Sequence, residues 1–421
     1  MNPGTLTSAL VLASVLLLAG KTLVHVPLGI LALIGVYRIL RAPRVLTEDR
    51  ALRFAGLLWL CIWVPMLLSL PDAVNPARAG ETVLLYLHFF PAVVAIVLGL
   101  RDDERLWRIA GSGTALIALA WSVDALIQVC FGRNLLGYPH EGAVLEGAFY
   151  PTQRLGLVLA VLAPIYFEAV RQLVHRRRFA WLLLVPLCVV IVLTAKRSAW
   201  QMFIAAAALY VVWITVAGIG PRLRRVFGPA VLIAGVTAIA IASAPIVRQQ
   251  AARSLEVFST RFETADSATS YRLSLWKTAS AMFADHWLNG VGVRGFRNRY
   301  ADYATADDFW TGHGYEGQTH PHLMIAEIAA ETGVIGLAGY ALFWTLLIVR
   351  LRRDGAPAAA GMAWLIALVV AWFPLNAHLA FYGSYWSSIA WLALAMALAA
   401  WSGRDAARPA PSEAAQAVGR R

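Results

Sequence analysis

Three histidines, His313, His320 and His322, fall within the stretch GHGYEGQTHPHLMIAEIAAETGVIG, just ahead of an apolar helical pattern. That pattern (Ile325, Ile328, Ala329) runs to Gly333 and puts His322 near a helix start. An imidazole, with an ordinary pKa of about 6.5, is the usual general base for a hydroxyl. Two other readings of the same residues exist. One is a hydrogen-bonded interfacial histidine. The other is a His-x-His metal site completed by Glu316, which lacks a third ligand at a spacing such as HExxH. No metal and no cofactor are expected.

The second set is cationic. Lys196 and Arg197 sit in TAKRSAW, a short turn between two apolar runs, and Arg154 heads another run. Arg272 lies in SATSYRLSLW, a helix-start pattern in which Ser267, Thr269 or Ser270 is the expected cap. A cation in the first turn of a helix opposes the macrodipole, and an anion bound at that terminus would remove the conflict. Charge at a membrane edge is costly, so an anionic ligand would also account for Lys196 and Arg197. A forked guanidinium suits a phosphate better than an ammonium does, and for Lys196 snorkelling among lipid headgroups is the competing reading.

The elements that must hold these residues are membrane helices. Of 421 residues, 59% are hydrophobic and only 14% charged, and mean hydropathy is +0.64. A soluble domain carries about 25% charged residues, so that class is excluded. Long unbroken runs such as 179–194 exclude an outer-membrane barrel. Apolar runs occur at 5–20, 22–37, 54–70, 82–100, 109–131, 155–171, 179–194, 198–217, 226–244, 333–349, 357–374 and 386–401. They predict an all-α polytopic membrane protein of about twelve transmembrane helices. The first run has no basic segment before it and reads as a retained span. Cys61, Cys130 and Cys188 form no CxxC or metal spacing and read as packing residues.

Charge sets the orientation. With both termini cytoplasmic, the inside loops and tail hold 22 of the 36 Lys and Arg residues, so the positive-inside rule supports that arrangement. The other 14 lie on the outer side, where orientation does not require them. Eight of these occupy the segment 245–321, a large outer loop rich in Tyr, Trp and Phe and expected to contain short helices. The chain thus divides into nine spans (1–244), the loop (245–321), three spans (322–401) and a disordered cytoplasmic tail (402–421). A transporter or flippase would also have many spans, but it should place ionisable groups at midplane, and the few candidates are His88, Asp124, Glu168, Glu327 and Glu331.

Three segments taken in order resemble the superfamily of O-antigen ligases, O-antigen polymerases and bacterial protein O-oligosaccharyltransferases. They are the Arg-bearing turn TAKRSAW, the stretch YRLSLW followed by DHWLNGVGVRGF, and His322 with Gly333 and Gly336. Two positions depart from the family pattern: Leu323 follows the histidine, and Trp287 stands where Pro is expected. The resemblance implies glycosyl transfer on the outer, periplasmic face of a Gram-negative inner membrane, without metal or nucleotide. The donor would be a glycan on undecaprenyl pyrophosphate and the acceptor lipid A–core oligosaccharide, with membrane lipids around the protein and no nucleic acid. By position, Arg197 and Arg272 would bind the pyrophosphate and His322 would activate the acceptor hydroxyl. Lys196, Arg154, His320 and His313 would be secondary contacts. The size favours the ligase over the polymerase. Excess EDTA is expected to leave glycan transfer by the purified protein intact; activity lost to chelation and restored by a divalent ion would revive the His-x-His reading.

Overall fold

In the computed structural model the chain is described over residues 2–141, 144–177, 179–220, 244–256, 261–306, 308–312, 319–376 and 380–406, with residues 235, 239 and 242. Among these residues there are helices and no strand, apart from one isolated antiparallel bridge between Arg133 and Pro139. Leaving aside single turns, the helices are α1 (Pro3–Leu16), α2 (His25–Arg41), α3 (Arg50–Leu68), α4 (Pro76–Tyr86), α5 (Phe89–Leu100), α6 (Glu104–Phe131), α7 (Leu155–Val174) and α8 (Leu184–Leu193). They continue with α9 (Arg197–Val216), α10 (Pro245–Leu255), α11 (Phe262–Ala268), α12 (Arg272–Asp285), α13 (Phe296–Tyr303), α14 (Met324–Asp354), α15 (Ala359–Ala371) and α16 (Ser384–Ala406).

Eight described helical segments are long and apolar enough to cross a membrane, and Ala180–Leu193 and Ala359–Ala371 are shorter apolar helices. Eleven of the twelve apolar runs read from the sequence fall on described helices. The run 226–244 lies outside the described residues except at 235, 239, 242 and 244, and so does most of the tail, from 407 onward.

The core follows from which helices are apolar on every side. In α7 every residue from Leu155 to Tyr166 is buried, and its neighbours are α6, α8, α9 and α15. The helix α16 is buried through most of its length against α5 and α15. Lipid could also face an apolar helix, but these are buried against one another, so α5, α7, α15 and α16 form the centre. A second, smaller core gathers Leu275, Ala279 and Met282 of α12, Val291, Phe296 and Tyr300 around Ala330 of α14.

Those two cores meet at a break in α14. Gly333 has φ 62° and ψ −157°, which interrupts the helix. The segment 287–293 crosses there. Val334 N donates to the Trp287 carbonyl at 2.8 Å, Ile335 N to Leu288 at 3.2 Å, and Val291 N to Ala330 at 2.9 Å. Backbone groups that the kink releases are thereby paired, as buried amides require. The crossing is too close for side chains: a Cβ on Gly290 would lie 2.3 Å from the Glu331 carbonyl carbon, and one on Gly333 2.4 Å from that of Leu288. Gly333→Ala is expected to destabilise the protein by about 2–4 kcal/mol, from strain plus overpacking. Gly80→Ala, in open space within α4, is expected to be neutral or to stabilise by up to about 1 kcal/mol. Thermal melts of the purified protein would show the contrast.

Candidate active site

Arg197 is the first residue of α9, and Lys196 precedes it in extended conformation. Arg272 is likewise the first residue of α12. Contacts join the two helix starts. Arg197 Nη2 donates to Ser270 Oγ at 3.1 Å, and Lys196 Nζ donates to Gln153 Oε1 at 2.6 Å, beside Arg154. The cap of α12 differs from expectation. Ser267, Thr269 and Ser270 do not cap it; Asp266 does, accepting from Leu273 N at 2.9 Å and Ser274 N at 3.2 Å, and from the Ser274 hydroxyl. The α11–α12 turn folds back far enough for a carboxylate from the preceding helix to reach, and a charged acceptor is the stronger cap.

The cations crowd one another. Burial, and after it the Arg197 guanidinium, push the Arg272 pKa down to about 10. Lys196 is lowered by burial and then by Arg272, with Glu146 acting in the opposite sense. With a pKa of about 10 the Arg272 guanidinium is still charged at neutral pH, so the unliganded protein holds it beside Arg197, partly out of water, at two adjoining helix N-termini. Such an arrangement favours an anion with several oxygens.

The histidines are tied to the same place. Trp276, one turn after Arg272 on α12, donates from Nε1 to the Pro321 carbonyl at 3.2 Å, between His320 and His322. Their rings stand 4.1 Å apart between centroids. His320 is buried, with Nδ1 2.8 Å from Thr319 Oγ1, whereas His322 is only partly buried. His322 sits two residues before α14, as the sequence pattern requires. His313 and Glu316 lie outside the described residues. Among the described residues no three His, Cys, Asp or Glu side chains are close enough to hold a metal ion.

One backbone feature joins all these positions. Seven described residues other than glycine have positive φ, and six of them are Gln153, Ala195, Ser270, Tyr271, Arg294 and His322. Five of these are candidate residues or lie within two positions of one, and the sixth is Arg294. Left-handed backbone costs an L-residue about 1–2 kcal/mol, and such outliers concentrate at functional sites.

Residues 182–341 match the family model described as O-Antigen ligase. Over that stretch, 160 of the 421 residues, the chain is similar to that family. No curated protein and no solved structure matches it. The matched segment contains Lys196, Arg197, Arg272, His320, His322 and the Gly333 kink, while Arg154 precedes it.

Sequence reasoning passed over Arg294, which it counted only among the outer basic residues. Arg294 has φ 63°, and its amide donates to Glu331 Oε2 at 2.8 Å. The available signal was an arginine on the disfavoured side, set among the glycines of GVGVRGF. Two of the acids that a transporter would need at midplane are held by hydrogen-bond donors. Asp124 accepts from Asn134 and Leu135, and Glu168 from Arg171, Gln172 and Tyr210.

Folding depresses the Arg272 pKa from the ordinary guanidinium range to about 10. Above that pH the unfolded chain therefore binds more protons, and stability rises with pH until the unfolded group also titrates. Arg272→Met is expected to remove that rise. It should also melt higher than wild type at pH 7, while losing the stabilisation that added pyrophosphate confers. Pyrophosphate titrations followed by thermal melting at pH 7 and pH 11 measure both effects.

Proposed function

We propose that the chain moves an O-antigen glycan from undecaprenyl pyrophosphate to lipid A–core oligosaccharide on the periplasmic face of a Gram-negative inner membrane. The observation that carries this is the junction of Arg197 with Ser270, two residues before Arg272. It unites two like-charged helix starts beside a histidine pair within the segment that matches the O-antigen ligase model. The excess of Lys and Arg in the loops assigned to the inside supports an orientation with that junction outside and both termini in the cytoplasm.

In the proposed step an acceptor hydroxyl oxygen attacks the anomeric carbon of the donor. The new C–O bond forms as the bond from that carbon to the diphosphate oxygen breaks. His322 takes the hydroxyl proton, and undecaprenyl pyrophosphate leaves as an anion that Arg197 and Arg272 stabilise. The diphosphate is already a good leaving group, so neither nucleotide nor metal is required. A single displacement with no covalent enzyme intermediate inverts the anomeric centre. His320 is buried and paired with Thr319, which favours its partly exposed neighbour His322 as the base.

His322→Ala is expected to lower transfer by at least about 10²-fold, the low end for losing a general base, with insertion unchanged. Wild-type rates in that variant would remove the assignment. Arg197→Lys is expected to fail nearly as badly as Arg197→Ala, because a point charge cannot bind two oxygens in a fork. The assay is in-vitro transfer from purified lipid-linked glycan to lipid A–core, with a second lipid-linked glycan as competing acceptor. Product on lipid A–core supports the ligase; chain growth on the competing acceptor indicates a polymerase.

A further inference from the structure

Beside the histidines lies a cavity of about 370 Å³, with Arg78, Glu81, Arg154, Arg294, His320 and Tyr382 in its wall. Three guanidiniums face one carboxylate there. Arg154 Nη1 and Arg294 Nη1 are buried and have no hydrogen-bond partner among the described residues. The Arg154 guanidinium lies over the Tyr385 ring, 4.2 Å from its centroid, and the Arg294 side chain approaches Glu327 no closer than 4.0 Å. Both side chains nevertheless line the same basic cavity, and an anion bound there would balance their charge.

We infer that this cavity is a second anion site, separate from the Arg197–Arg272 clamp, and that it takes a phosphate monoester carried on a sugar of the acceptor. The assignment of donor and acceptor sides rests on the function proposed above. His320 lines the cavity, whereas Pro321 is bonded to Trp276 on the Arg272 helix. The histidine pair thus lies between the two basic groups, and with the donor diphosphate on one side the anion on the other belongs to the acceptor. The volume is within the small-molecule range of about 300–1,000 Å³, and an aromatic wall suits the C–H face of a sugar. A phosphate has enough acceptor oxygens to meet more than one guanidinium of this wall, in the charge-assisted geometry that arginine favours.

The test is equilibrium binding to the full chain in detergent, with glucose 6-phosphate, glucose and inorganic phosphate as probes, and farnesyl pyrophosphate as the probe of the clamp. Glucose 6-phosphate is expected to bind at least about tenfold tighter than glucose or inorganic phosphate. Arg154→Gln and Arg78→Gln should each weaken it by about tenfold, the loss of one charged hydrogen bond, and leave farnesyl pyrophosphate unaffected. Arg272→Gln should do the reverse. The inference is overturned if inorganic phosphate binds as tightly as glucose 6-phosphate, or if neither cavity variant weakens glucose 6-phosphate. It is also overturned if both ligands weaken together in Arg154→Gln, which would mean a single site. Displacement of glucose 6-phosphate by phosphatidylglycerol micelles would assign the cavity to a lipid headgroup instead. If farnesyl pyrophosphate ignores Arg272→Gln while glucose 6-phosphate follows Arg154→Gln, the donor clamp fails and the second site stands.

Discussion

Two buried carboxylates one turn apart on α14 hold the site together. Glu331 accepts from the amides of Arg294 and Phe296, and Glu327 from those of Phe381 and Tyr382. A buried acid is tolerated only when its oxygens are paired. Here the partners are backbone amides from two segments far apart in sequence, so the pairing also fixes where those segments lie. One carries Arg294 and the other Tyr382, and both residues line the basic cavity. The break at Gly333 follows immediately, where 287–293 crosses the helix and completes the anchor.

Around that anchor the protein concentrates what is elsewhere unfavourable. Arginines open two helices at the end where the macrodipole is positive, and the left-handed residues Ala195, Ser270 and Tyr271 lie beside them. In the reading proposed for it, an anionic substrate relieves the crowding that the unliganded protein sustains, and binding and electrostatic stabilisation of the leaving group become the same interaction.

Much of this was legible in one dimension. Hydropathy located the helices because membrane segments must satisfy their backbone internally and present apolar side chains. The disfavoured positions of Lys196, Arg197 and Arg272 pointed to an anion because uncompensated charge is costly wherever it sits. His322 was legible from its distance to Gly333. The cap of α12 was not: local rules proposed a serine or threonine within the turn, and Asp266 reaches it only because the turn folds back. Arg294 was equally hidden, since its importance depends on which acid receives its amide.

Composition and periodicity by themselves determined a helical membrane protein, with basic residues in excess on one side and histidines before a helix. These are properties of single residues and near neighbours, set by transfer free energy and helix geometry. Tertiary structure alone decided that residues 153, 197, 272, 294 and 322 converge, and that Glu327 and Glu331 act as backbone anchors. Convergence depends on helix crossings and on close backbone approach at Gly290 and Gly333. Those contacts join residues dozens to hundreds of positions apart, which no local pattern encodes.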